Sequence, residues 1–169
     1  NPYQGGYYSN YFNGSGDYLS FPYNSTTLQF AGDFTVECWV NFSALPNAVS
    51  FFTTTANLTS ANGELWFGYD DSSKRLIVSR HGSGTYLFGV SWTPTVGTWY
   101  HTAVTYNGST IIQYQNGAQQ STLSYAATPT GSGSSSLIMR RWDTANYLDG
   151  VLPQLRLYDR ALSATEIVQ

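Results

Sequence analysis

The chain has 169 residues, a formal net charge of −3 and a charged fraction of 10%, with Lys74 as its one lysine. The apolar share of 41% suits one globular domain of this length. A chain so poor in lysine and arginine does not bind nucleic acid, because phosphate contacts need several cations on one face. No apolar run approaches the roughly 18 residues of a membrane span, which argues against membrane insertion.

The two ends of the chain bear on its domain organisation. The chain begins with Asn1, and its one methionine is Met139. We therefore expect a single domain over residues 1–169 that was processed or excised from a longer chain.

Segments rich in aromatic and β-branched residues recur along the chain, separated by clusters of Gly, Ser, Asn and Asp. A spacing of roughly ten residues between such segments is typical of an all-β sandwich or barrel. The predicted strands are 7–12, 18–21, 34–42, 51–55, 65–69, 76–79, 86–91, 99–106, 110–115, 119–124, 136–139 and 151–158. One short helix is predicted near the end, with Ser163 as its cap, Glu166 three positions later and Ile167 on its apolar face.

The segment FTVECWVNF contains the lone cysteine, Cys38. Alternation along this strand places Cys38 on the same face as Val36 and Val40. No basic residue is adjacent to lower the pKa of its thiol. Cys38 is therefore predicted to be a small buried core residue.

The segment 99–117, WYHTAVTYNGSTIIQYQNG, has two Asn-Gly pairs flanked by β-forming residues. A type I′ turn needs positive φ at both central residues, and Asn-Gly is the pair that best supplies it. Asn107-Gly108 and Asn116-Gly117 therefore predict three consecutive antiparallel strands.

Five phrases occur in order along nearly the whole chain. They are FNGSGDYLSFP (12–22), GDFTVECWVNF (32–42), GTWYHTAVTYNGS (97–109), YQNG (114–117) and YLDGVLPQLRLYDRALSATEI (147–167). Together they resemble the laminin G-like and pentraxin-like branch of the concanavalin A-like lectin/glucanase superfamily. The resemblance implies an all-β jelly-roll sandwich of two curved antiparallel sheets, with the first and last strands paired near the termini. It also implies that His101, in the W-x-H phrase, and the signature residues Trp39 and Trp99 are structural.

The resemblance extends to glucanases, so an enzymatic role has to be considered. A retaining glycosidase needs two carboxyl groups about 5–5.5 Å apart. Along a strand of this fold such a pair takes the form Glu-x-Asp-x-Glu or Glu-x-Asp-x-x-Glu, and none of the ten acidic residues is arranged in either way. Asp70 and Asp71 are adjacent, and Glu64 would lie roughly 20 Å from Asp70 along a strand. We predict no catalytic residues and a domain that is not an enzyme, with a degenerate glucanase as the minor alternative.

The resemblance also implies that many relatives hold calcium at one rim. Calcium takes six to eight oxygen ligands, several of them from carboxylates. Here Asn13 and the pair Pro153-Gln154 stand where the family has acidic residues. We expect no cofactor, and the sequence supports at most a weak calcium site. Its candidate ligands are Asp70, Asp71 and Asp143.

Sugar-binding surfaces combine an aromatic platform with polar groups, because a pyranose has an apolar face and a rim of hydroxyls. Trp92 and Trp142 lie near predicted rim loops, where a large exposed aromatic often marks a contact. The alternative for Trp142 is a ring folded back over a sheet edge. The predicted ligand-binding residues are Trp142, Arg141, Asp143, Asn146, Trp92 and His81.

The composition and the resemblance together predict a non-catalytic recognition module. Its partner would be carbohydrate or a glycoconjugate, and its location extracellular, on a cell surface or on a virion. The alternative is an assembly module that binds copies of itself or other structural proteins in a filament, capsid or tail. A surface with few charges suits such packing, because little charge has to be desolvated.

Overall fold

The computed structural model describes residues 9–22, 32–54, 64–81, 88–125, 135–140 and 145–167. These residues form twelve β-strands and one short helix. The strands are β1 Asn10–Asn13, β2 Leu19–Pro22, β3 Phe34–Ala44, β4 Ala48–Thr53, β5 Glu64–Asp70, β6 Arg75–His81, β7 Phe88–Ser91, β8 Trp99–Tyr106, β9 Thr110–Gln115, β10 Ala118–Ser124, β11 Ser135–Ile138 and β12 Asp149–Tyr158. The helix is α1, Ala164–Ile167.

The strands form two six-stranded sheets. The first sheet has the order β1-β12-β3-β8-β9-β10, and the second has the order β2-β11-β4-β5-β6-β7. Their ladders are antiparallel, and β1 pairs with β12, so that Asn13 lies opposite Asp149. The predicted jelly-roll sandwich is therefore confirmed, as is the pairing of its first and last strands.

The two sheets enclose a core of aromatic and aliphatic side chains. In β3 the alternating residues Phe34, Val36, Cys38, Val40 and Phe42 are all buried and belong to this core. Burial raises the pKa of the Cys38 thiol to about 12. The thiol is therefore protonated at neutral pH, which confirms its assignment to the core.

The two Asn-Gly pairs form hairpins through different turns. Asn116 has φ 49° and Gly117 has φ 77°, as a type I′ turn requires. At the other pair only Gly108 has positive φ, at 82°, and the Asn107 side-chain oxygen accepts hydrogen bonds from the backbone nitrogens of Ser109 and Thr110. The three predicted strands are confirmed, but the turn type predicted at Asn107 is wrong. Its side chain closes the loop instead.

Some strand limits differ from the prediction. β4 begins at Ala48 rather than at 51, and β12 begins at Asp149 rather than at 151. The added residues include small or polar ones such as Ala48 and Asp149, whose pairing, for example between Ala48 and Asp70, extends the strands beyond the strongest hydrophobic signal. Parts of the predicted strands 7–12, 51–55 and 86–91 lie outside the described residues.

The helix α1 covers part of the outer face of the first sheet. The carboxylate of Glu166 accepts a hydrogen bond from the backbone nitrogen of Ser163 at 2.9 Å, as in a capping box. Leu162 and Ile167 are buried against Ala103 of β8 and Tyr114 of β9. The predicted helix is thus confirmed. Within the described residues, no helix is long and apolar enough to cross a membrane.

Candidate functional site

A cleft of about 350 Å³ opens at one rim of the sandwich, where β1 and β12 meet. Three chain segments line it: the end of β1, the connection between β3 and β4, and the segment that leads into β12. We call it the rim cleft. Its lining residues are Asn13, Gly14, Ala44, Leu45, Pro46, Asn47, Ala145, Asn146, Tyr147 and Asp149.

The loop after β1 has a conformation that its sequence dictates. Gly14 has φ +74°, and the side-chain oxygen of Asn13 accepts a hydrogen bond from the backbone nitrogen of Ser15 at 2.9 Å. A carboxylate oxygen of Asp17 accepts one from the backbone nitrogen of Asn13 at 3.1 Å. A Cβ at Gly14 would lie 2.9 Å from the Cβ of Asp149. Glycine is thus required for the loop to approach Asp149 so closely.

Tyrosine rings stand beside the rim cleft. Tyr11 is 61% exposed, and its hydroxyl donates a hydrogen bond to the Asp149 carboxylate at 3.4 Å. Tyr18 is 40% exposed, and its ring centroid lies 6.3 Å from that of Tyr147 in the cleft wall. The guanidinium carbon of Arg140 lies 4.6 Å from the Tyr18 ring centroid, which fixes the orientation of that ring. Two exposed aromatic rings therefore each contact a residue of the cleft.

The polar groups of the cleft are mainly uncharged. Asn13, Asn47 and Asn146 bring amides, which both donate and accept hydrogen bonds. Asp149 brings a half-buried carboxylate, which only accepts. Such a set next to exposed aromatic rings is suited to a ligand that carries many hydroxyl groups and an apolar face.

Of the six predicted ligand-binding residues, the structure places Asn146 in the rim cleft. Arg141, Trp142 and Asp143 lie outside the described residues, although they directly precede the cleft segment in sequence. His81 ends β6, and its side chain is not among those described. For these four residues the contact role stays a prediction.

Trp92 occupies a different place from the one predicted. It follows β7 in an irregular segment, but its ring is buried and only 6% exposed. Its ring centroid lies 5.9 Å from Phe42 and 5.2 Å from Tyr100 in the first sheet. The same centroid lies 6.4 Å from the ring centroid of Phe51 and 5.3 Å from that of Tyr69, both in the second sheet. The predicted exposure of Trp92 is wrong, because its ring packs in the core between the two sheets.

The two carboxylates predicted as calcium ligands in the turn after β5 take part in local hydrogen bonds. Asp70 is buried, and one of its oxygens accepts from the backbone nitrogen of Ser72 at 2.9 Å. The ammonium of Lys74 and the hydroxyl of Tyr69 both donate to Asp71 at 2.6 Å and lower the pKa of its carboxyl. The part of the chain that the structure describes has no group of three His, Cys, Asp or Glu residues suited to a metal ion. A calcium site that includes Asp143 stays an untested prediction.

A separate charged cluster surrounds Glu37 on the outer face of the first sheet. His101 Nε2 lies 3.3 Å from one carboxylate oxygen of Glu37, while Arg156 and Tyr158 donate to the other at 3.2 and 3.1 Å. Burial acts to raise the pKa of Glu37, but the hydrogen bonds from His101 and Arg156 outweigh it and hold the pKa below its ordinary value. His101 is also buried, and its ring packs 5.3 Å from that of Trp39. The predicted packing and hydrogen bonding of His101 are thus confirmed.

Tyr11, Asn47 and Tyr147 are not among the site residues predicted from the sequence. A signal for two of them was present: Tyr11 lies in the phrase YFNG and Tyr147 in YLDG, the first and last strands that the resemblance implies are paired. Combining this pairing with the residues at its end would have placed Asn13 beside Asp149. Asn47 carries no comparable signal, because it follows a proline in an ordinary loop.

The fold matches that of solved carbohydrate-binding and pentraxin structures. The CBM40 domain of a Ruminococcus gnavus sialidase, solved with α2,3-sialyllactose, has a TM-score of 0.77 at 10% identity over 95% of this chain and 94% of that chain. Domain 4 of an extracellular arabinanase from Geobacillus stearothermophilus, solved with arabinotriose, has a TM-score of 0.66 at 20% identity. The match covers 83% of this chain and 67% of that chain. A heptameric pentraxin from Limulus polyphemus has a TM-score of 0.62 at 18% identity, and the match covers 92% of this chain and 78% of that chain. Together these similarities show the class of fold, a β-sandwich of two antiparallel sheets.

The family is shown by the sequence itself. The laminin G-like family model of the concanavalin A-like lectin/glucanases superfamily matches residues 13–168. Because the match spans nearly the whole chain, the chain belongs to this laminin G-like family, and the resemblance stated above is confirmed. Among curated proteins, no sequence matches the chain.

Proposed function

We propose that this domain is a carbohydrate-recognition module and that the rim cleft is its binding site. The observation that carries the proposal is the combination at this rim of two exposed tyrosines with a cleft lined by amides and one carboxylate. The ring of Tyr11 or Tyr18 would pack against the apolar face of a sugar. Asn13, Asn146 and Asp149 would bind its hydroxyl groups.

The solved structures support carbohydrate as the class of partner. Two of them, from an arabinanase and a sialidase, contain a bound oligosaccharide, arabinotriose in one and sialyllactose in the other. Since one fold hosts many functions, they support sugar binding in general and do not identify the sugar. We place the module outside the cell or on a virion, where polymeric glycans are encountered.

We propose a binding role without catalysis. Hydrolysis of a glycosidic bond needs two cooperating carboxyl groups, and the described lining of the rim cleft contains one, Asp149. Glu37, which contacts His101, Arg156 and Tyr158, lies on the outer face of the first sheet and is 5% exposed. Its position serves the packing of that face.

Removal of single side chains at the rim cleft tests the proposal. We expect Tyr11→Ala to weaken binding of the best ligand on a glycan array at least about tenfold, because stacking of a sugar on an exposed ring is lost. Asn146→Ala should weaken it by a smaller factor. Titration calorimetry measures both variants, with and without a chelator to reveal any calcium requirement.

The matched control is Gln120→Ala. Gln120 is exposed on β10, which lies at the edge of the first sheet opposite β1, and its amide donates within its own strand to Ala118. This variant should bind like the parent protein. If no glycan binds, or if the control weakens binding as much as Tyr11→Ala, the cleft is not a sugar site.

One observation favours the assembly alternative. β10, Ala118–Ser124, is largely exposed and has neither a charged residue nor a proline, two of the usual protections of a sheet edge against pairing. Among the described strands, β10 pairs only with β9, and one bulge between Gln119 and Ser121 interrupts this ladder. Light scattering at increasing concentration would detect a dimer, and Thr122→Lys should abolish it. A stable interface needs about 1,000 Å² of buried surface.

A further inference from the structure

The rim cleft carries a negative charge. Asp149 is the one charged residue among its described lining residues, and it is held in place by the hydroxyl of Tyr11 at 3.4 Å. A second carboxylate, the exposed Asp17 in the loop after β1, accepts a hydrogen bond from the backbone nitrogen of the lining residue Asn13 at 3.1 Å. Both carboxylates favour neutral or donor groups in the cleft over anionic ones.

A described cation at this rim, Arg140, contacts tyrosine rings and forms no ion pair with Asp149 or Asp17 among the described residues. Arg140 is not part of the lining, and its guanidinium carbon lies 4.6 Å from the ring centroid of Tyr18 and 5.9 Å from that of Tyr147. Other cations are paired elsewhere. Lys74 pairs with Asp71, Arg156 with Glu37 and Arg160 with Glu166.

A carboxylate with amide neighbours has a definite hydrogen-bonding preference. Asp149 only accepts, so its ligand has to present donors, and adjacent sugar hydroxyls can donate to both oxygens of one carboxylate. A sugar acid at the same position would bring a second anion against Asp149. Repulsion between the two negative charges lowers the affinity for the acidic sugar and so discriminates against it.

We propose, on the basis of the function proposed above, that the rim cleft selects uncharged glycans and rejects sugar units that carry a carboxylate or sulfate. Asp149 is the residue that decides this preference. The domain would then differ from its structural relative solved with sialyllactose, whose ligand is anionic.

The test compares glycans that differ only in charge. A glycan array provides neutral oligosaccharides, such as arabino-, xylo- and galacto-oligosaccharides and lactose, beside sialylated, uronic-acid-containing and sulfated counterparts. We expect the neutral member of each pair to bind at least about tenfold more tightly at low salt, since two like charges about 5 Å apart in a partly solvated site repel by that order. High salt should reduce the ratio.

The Asp149→Asn variant identifies the residue responsible. It keeps the shape of the side chain and removes the charge, so the ratio of neutral to acidic binding should fall at least severalfold. The matched control is Asp159→Asn, which makes the same change in net charge at the other, exposed end of β12. That end lies roughly 30 Å away along the strand, and the control should leave the ratio unchanged.

The outcomes separate this inference from the proposed function. Equal or tighter binding of the acidic glycans overturns the inference and leaves sugar binding intact. An unchanged ratio in Asp149→Asn also overturns it, because the selectivity then has another source. If no neutral or acidic glycan binds, the proposed function fails, and this inference fails with it.

Discussion

At Glu37, burial and hydrogen bonding act on one carboxylate in opposite directions. Burial raises the pKa of its carboxyl, and the donors His101, Arg156 and Tyr158 lower it further than burial raises it. Since the folded-state pKa lies below the ordinary value of 4.5, the ionised form stabilises the fold above that pH. The stabilisation is lost as the pH falls through the folded-state pKa.

We expect Glu37→Gln to lower the free energy of unfolding at pH 7 by about 1–3 kcal/mol, the usual cost of losing buried charge-assisted hydrogen bonds. The difference from the parent protein should shrink at pH 3, because below pH 4.5 the unfolded chain binds a proton at Glu37 that folding has to release. Urea denaturation at both pH values measures it. The exposed-residue variant Asp159→Asn serves as the control, and an equal loss of stability at pH 3 and pH 7 would assign the effect to packing alone.

The same carboxylate shows which residue-scale statements a sequence can support. The W-x-H phrase correctly predicts that His101 is packed and hydrogen-bonded, because the phrase belongs to a structural signature. It does not predict the acceptor, since Glu37 lies on β3 and reaches His101 only through the pairing of β3 with β8. For Trp92 the prediction from the sequence is wrong, because a tryptophan in an irregular segment gives no local sign of where its ring points.

Among the elements, the loop after β1 determines the shape of the rim cleft. Gly14 combines φ +74° with a Cβ position that would lie 2.9 Å from the Cβ of Asp149. Its neighbour Gly16 has no other atom within 4 Å of its own Cβ position. The two glycines of the phrase FNGSG therefore differ in what they require, although they look alike in sequence.

We expect Gly14→Ala to destabilise the fold by about 1–2 kcal/mol, because an alanine there has unfavourable φ and its methyl group displaces Asp149. Sugar binding in the rim cleft should weaken with it. Gly16→Ala is the matched control and should change neither property by much. Thermal unfolding and calorimetric titration of both variants give the comparison, and equal effects of the two substitutions would contradict this account of the loop.

On the scale of the whole molecule, Trp92 connects the two sheets. Its ring contacts Phe42 and Tyr100 of the first sheet and Phe51 and Tyr69 of the second. A large aromatic in this position fills the core between the layers at one end of the sandwich. Its loss would leave a cavity that neither sheet can close alone.

We expect Trp92→Ala to cost about 3–5 kcal/mol of stability, as for other large core aromatics. Any loss of sugar binding should then follow the unfolded fraction of the protein. Val96→Ala, at a side chain that is 50% exposed, is the control and should have little effect. Denaturant midpoints measure the difference. A folded, fully stable Trp92→Ala protein that no longer binds would instead support the contact role predicted from the sequence.

The strand content, the two hairpins from Trp99 to Ser124 and the terminal helix are readable from the sequence, because alternation, turn residues and caps act between neighbours along the chain. The family is readable from the five phrases in order. The rim cleft, the position of Trp92 and the partner of His101 appear only in the folded structure. The cleft forms because the pairing of β1 with β12 brings residues 13–14 beside residues 145–149. Residues 44–47, between β3 and β4, lie next to both segments. Contacts between such distant segments depend on the order of the strands in the sheet, which the pattern along a single strand does not encode.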